Sequence, residues 1–153
     1  MIDRDIASLP AVVQVTAHTH IALLNRLLPG WLTGWYAVGS AALGCFDGRF
    51  SDLDFVAVVR DLPPADGRAA LERAHRQLAD RRLFAALDGF YVPEGAFSGS
   101  ATPCLRFNDG RFHPPAAFSP HSPDGWLLKR RGVPFYGPEP GGLPYEPDWE
   151  LIR

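Results

Sequence analysis

Cysteine is scarce in this chain: Cys45 and Cys104 are the only two among 153 residues, and they lie far apart. That pattern suits free thiols in a reducing cytoplasm, and as side chains both read as small buried apolar groups. An excess of one charge is also missing. Fifteen basic and 17 acidic residues leave a net −2, so no electrostatic surplus draws the chain to nucleic acid. No apolar run reaches membrane-spanning length, and Met1-Ile2-Asp3-Arg4-Asp5 lacks the basic start and apolar core of a signal peptide. There is no Walker-type glycine loop with lysine and no arguable Ser–His–Asp arrangement, so both enzyme classes drop out. Zinc chemistry has little support. His18 and His20 are two apart on a helix and do not share a face, while His75, His113 and His121 stand alone.

What is present is globular. With 46% hydrophobic and 21% charged residues, the chain is expected to form one domain with its own core. Ser8 is placed to cap a helix from Leu9 to about Leu28, whose apolar positions recur at helical spacing until Pro29-Gly30 stops it. Trp31 to Val38 reads as a strand ending at Gly39-Ser40, followed by a turn-rich stretch around Gly44 and Asp47-Gly48. Leu53 to Val59 is the clearest strand, apolar enough to be buried on both faces beyond its aspartates. Asp66 caps a predicted second helix from about Arg68 to Ala86, with Glu72 and Arg76 paired on its outer side. Asp88 to Val92 is a third strand, and Leu105–Phe107 with Arg111–His113 forms a hairpin about Asn108-Asp109-Gly110. Eleven of the fifteen prolines lie from Pro93 onward, which makes helix scarce there. A short helix over Trp126–Arg131 and a strand over Val133–Tyr136 are the exceptions.

The chemistry concentrates at Gly39-Ser40 and Asp52-Leu53-Asp54, eleven residues apart. Residues two apart on a strand share a face, so Asp52 and Asp54 present their carboxylates side by side. Such a pair repels itself unless a cation neutralises it, and Mg²⁺ favours one or two carboxylates plus substrate phosphate oxygens. Gly39 lets backbone approach a phosphate closely. Ser40, with the amides of Ala41 and Ala42 at a helix start, offers it hydrogen bonds. The bland alternative for the aspartates is a helix cap or loop pair, but the β-branched run that follows argues for a strand.

These residues resemble the signature of the polymerase-β-like nucleotidyltransferase superfamily. The strings Ala37-Val38-Gly39-Ser40-Ala41-Ala42-Leu43-Gly44 and Arg49-Phe50-Ser51-Asp52-Leu53-Asp54 are most similar to aminoglycoside adenylyltransferases. Leu87-Asp88-Gly89-Phe90-Tyr91-Val92-Pro93 and Arg131-Gly132-Val133-Pro134-Phe135-Tyr136-Gly137-Pro138 extend the resemblance over about residues 10–140. It implies an α/β fold, a mixed sheet of four or five strands flanked by helices, over a nucleotidyltransferase domain at 1–143. It also implies Mg²⁺-dependent transfer of AMP from ATP to a hydroxyl. Asp52 and Asp54 would ligate metal, and Gly39 and Ser40 would hold the triphosphate. Asp88 would complete the acidic set or act as base, where the aminoglycoside-type enzymes usually carry the longer Glu.

Other assignments stay open. Asp88-Gly89 equally suits a turn after a helix, with Glu94 as the fallback carboxylate. Arg49 faces either a phosphate or solvent. Lys129, Arg130 and Arg131 bind a triphosphate tail or an acidic partner, or form the outer face of an amphipathic helix. Residues 144–153 are expected to be a tail or linker remnant anchored by Trp149, ending where the antibiotic-modifying relatives continue into a helical acceptor domain. The acceptor is accordingly a small molecule or, as in antitoxin-type enzymes, a partner protein; the remaining alternative is a nucleotide-binding module without catalysis. A homodimer is one way to cover the cleft wall of such a lone domain.

Overall fold

The computed structural model describes residues 6–44, 46, 51–63, 65–98, 102–148 and 150. Six strands form one sheet: β1 (Leu32–Val38), β2 (Leu53–Val59), β3 (Leu87–Pro93), β4 (Pro103–Asn108), β5 (Arg111–Ala117) and β6 (Val133–Tyr136), in the order β5-β4-β3-β2-β1-β6. Only β2 and β3 run parallel; every other pairing is antiparallel. The expected four or five strands become six because both hairpin arms and the short β6 all join the ladder. Pro114 and Pro115 do not prevent this. They face the single residue Leu105 across a bulge in an edge strand, where a missing N–H need not interrupt the sheet.

Four α-helices connect the strands: α1 (Ala11–Leu27), α2 (Gly39–Leu43), α3 (Ala65–Gln77) and α4 (Pro123–Arg131). α1 starts later than the sequence pattern predicts, with Pro10 rather than Ser8 at the cap position. The ring of Pro10 disfavours helical backbone at Leu9, which delays the start. α3 ends nine residues early. The Asp80 carbonyl accepts from Leu83 and Phe84, and its carboxylate accepts from the Arg82 amide, a local bonding pattern that competes with continued helix. At α4 the Ser122 hydroxyl accepts from the Gly125 amide at 3.1 Å, an N-cap that lengthens the expected helix by three residues.

Strand alternation sorts the core into two layers. Leu53, Phe55, Ala57 and Val59 of β2 pack with Trp35, Tyr91 and Leu71 beneath α1 and α3. Val56 and Val58 face the other way, against Tyr36, Val92, Leu128 and Tyr145. The two long helices thus cover one face, while α4 and the segment around Tyr145 cover the other. Tyr145 stacks on Phe97 at 5.0 Å, and its hydroxyl donates to the Gly125 carbonyl at 2.6 Å. Lys129 donates to the Leu143 carbonyl and Arg130 pairs with Glu146. These two cations of α4 therefore hold the following segment, whose anchor is Tyr145; Trp149 lies outside the described residues.

A buried polar chain ties the helical layer to the sheet, and His75 is part of it rather than isolated. The Trp35 indole N–H donates to His20 Nδ1 at 3.0 Å. An indole nitrogen only donates, so the His20 proton sits on Nε2 and is given to the Tyr91 hydroxyl at 2.7 Å. Tyr91 in turn donates to His75 Nε2 at 2.7 Å. Burial holds both imidazoles down, His75 to about 3, and pushes the Tyr91 phenol up. The chain is neutral across the physiological range and links α1, α3, β1 and β3. Among the described residues no helix is long and apolar enough to cross a membrane.

Candidate active site

The site is built where three strand ends meet. β1 finishes at Val38, which pairs with Asp54 of β2, and Asp54 pairs in parallel register with Asp88 of β3. Cross-strand partners share a face, so Asp54 and Asp88 project to the same side of the sheet, next to the start of α2. Asp52 lies just before β2, close enough for its charge to act on both.

Gly39 shows why the turn needs its residue type. Its φ is +64°, and a Cβ at this position would stand 2.1 Å from Asp54 Oδ2. The backbone conformation and the missing side chain are both required. The Ser40 amide donates to the Asp54 carboxylate. The Gly-Ser turn and the aspartate strand, separated in sequence, thus form one contact.

The electrostatics are those of crowded negative charge. Burial, then Asp88 and Asp52, push the Asp54 carboxyl up to about 6 against the lowering effect of the Ser40 amide. Burial also raises Asp88, and the Arg106 guanidinium draws it partly back. Among the described residues no three His, Cys, Asp or Glu side chains gather as a preformed metal set. Two in-register carboxylates with raised proton affinity nonetheless suit a hard divalent ion that takes its remaining ligands from phosphate and water. Arg49 lies outside the described residues. Glu94 is exposed in a 3-10 turn after β3.

Sequence reasoning missed Arg106. Pairing of Arg106 with Phe90 puts it on the Asp88 face of the sheet, and its guanidinium carbon lies 5.9 Å from the Phe90 ring centre. Among the described residues its buried Nε has no hydrogen-bond partner. The available signal was a basic residue between Leu105 and Phe107 in an apolar hairpin arm. Also unexpected is a cavity of about 590 Å³ on the α3 side of the sheet, bordered by Asp52, His75, Leu87 and the β4–β5 hairpin.

No family model matches the chain, and no curated protein does. Among solved structures it is similar to the spectinomycin adenyltransferase AAD(9) from Enterococcus faecialis, determined with ATP and spectinomycin. The TM-score is 0.69 at 17% identity, covering 88% of this chain and 60% of that one. The chain therefore spans about three fifths of that enzyme's length. At this identity the likeness concerns the fold: a mixed α/β sheet flanked by helices, of nucleotidyltransferase-like architecture.

Proposed function

We propose that the protein is a Mg²⁺-dependent nucleotidyltransferase that moves AMP from ATP to a hydroxyl acceptor. The observation that carries this reading is the packing of Gly39 and the Ser40 amide against Asp54, itself in register with Asp88. Asp52 and Asp54 would hold the metal, which when bound neutralises triphosphate charge. Gly39 and Ser40 would seat the phosphates in the turn that opens α2 beside Asp54. Asp88 takes the acceptor proton. Burial raises its proton affinity, which makes it a stronger base than an ordinary aspartate. The acceptor oxygen then bonds to the α-phosphorus and pyrophosphate leaves.

Calorimetric titration with ATP, with and without Mg²⁺, tests the reading on wild type and Asp52→Ala/Asp54→Ala. Binding that requires Mg²⁺ and vanishes in the variant supports it. Binding indifferent to both would refute it.

A further inference from the structure

We infer that the cavity between α3 and the β4–β5 hairpin is a second ligand site, on the face of the sheet opposite Asp54 and Asp88. It takes a flat, uncharged heteroaromatic ring that carries a hydrogen-bond acceptor. The inference does not depend on the nucleotidyl-transfer reading. A volume of about 590 Å³ lies within the range that holds one small organic molecule. Leu78, Leu87, Phe107 and Phe112 give the cavity an apolar lining, and His75 borders it. Phe107 and Phe112 meet edge to face at 5.1 Å.

The group that selects the ligand is His75 Nδ1, and the buried chain behind it decides its state. An indole N–H only donates, so Trp35 makes His20 Nδ1 an acceptor and leaves His20 Nε2 to donate to Tyr91. The Tyr91 hydroxyl has one proton, which goes to His75 Nε2 at 2.7 Å. With Nε2 accepting and burial keeping the ring neutral, the His75 proton resides on Nδ1. Each proton in the chain is set by the one before it.

Only 6% of His75 is exposed, and Phe107 covers one face of its ring, parallel within 13° at 3.6 Å. Among the described residues Nε2 makes the bond to Tyr91 and Nδ1 makes none. Among the same residues the one sealed side-chain nitrogen or oxygen without a partner is Arg106 Nε. His75 Nδ1 is therefore not sealed, and the open space that His75 borders is this cavity. A largely buried N–H costs free energy until an acceptor meets it. That acceptor lies in the plane of the imidazole, so a flat ring meeting Nδ1 with its own in-plane lone pair extends the layer that His75 forms over Phe107. Four arginines share the rim with Asp52, Glu72 and Asp109; with both signs present, the rim gives a charged ligand no strong preference.

The test uses the whole chain labelled with ¹⁵N. Long-range imidazole spectra read each tautomer directly, and should show the His75 proton on Nδ1 and the His20 proton on Nε2. The probe is isoquinoline, whose ring nitrogen only accepts; indole, of similar size, has a nitrogen that only donates. Isoquinoline should shift the His75 Nδ1 resonance to saturation, and indole should bind about tenfold more weakly or worse, the worth of one matched hydrogen bond. Phe112→Ala, which removes part of the lining and no member of the hydrogen-bonded chain, should weaken isoquinoline by about tenfold or more while leaving both tautomers unchanged. Saturating ATP with Mg²⁺ should not displace isoquinoline, because the carboxylates lie on the other face. A His75 proton on Nε2, a His75 resonance unmoved by isoquinoline, or equal affinity for indole would each overturn the inference. So would unchanged binding in a Phe112→Ala protein that keeps the wild-type tautomers, or displacement by ATP.

Discussion

Asp54→Asn should stabilise the protein at neutral pH while abolishing the proposed nucleotidyl transfer. Asp54 rises from 3.8 to about 6 through burial and its neighbours Asp88 and Asp52. At about 1.4 kcal/mol per unit, this would be a penalty of about 3 kcal/mol for a fully enclosed group. Asp54 is only half-buried, and solvent screening brings the expected effect to about 1–2 kcal/mol. The sign follows from proton uptake. Between about 4 and 6 the folded chain holds a proton that the unfolded chain has released, so stability falls as pH rises through that window and stays low above it. Asparagine removes the charge and keeps an oxygen for the Ser40 amide. Urea unfolding should therefore show the variant more stable than wild type by that margin at pH 7.5, with the gap closing toward pH 4. A variant less stable at pH 7.5, or a gap independent of pH, would refute the electrostatic account.

Gly39→Ala should lose about 1–2 kcal/mol for its left-handed backbone alone, and ATP binding should suffer more because the new methyl displaces the Asp54 carboxylate; denaturation and titration on one preparation separate the effects. Tyr91→Phe strands a donor on His20 and an acceptor on His75, so urea unfolding should report a loss of about 2–4 kcal/mol. Arg106→Met removes the positive charge that pulls Asp88 down. The acidic limb of the pH–rate profile should then move to higher pH, and an unmoved limb would show that Asp88 is not the titrating base.

The parts of the site that can be read from sequence are those written within one strand or turn. The apolar run after Asp54 identifies β2 from end to end, and Gly39-Ser40 marks the end of β1. Asp88 is less visible, because its value depends on parallel pairing that puts it level with Asp54. Arg106 is hidden for the same reason: only the β3–β4 register brings it to the face of Asp88. His20, Tyr91 and His75 lie on three different elements, and each alone resembles an ordinary core or surface position. The residues after Gln77 keep a helical look, but the hydrogen bonds of Asp80 with its neighbours end the helix there. Six strands rather than four or five follow from bulges that let proline-bearing segments remain paired.

Those bulges also bear on assembly. Pro114 and Pro115 interrupt the outer strand at one margin of the sheet, and Phe135 is the extra residue beside Pro134 at the other. A border with missing amides and broken register is a poor template for an incoming strand. Neither side invites another chain to continue the sheet, which protects the fold against strand-to-strand aggregation. A second copy or protein acceptor would have to approach through side-chain surfaces instead.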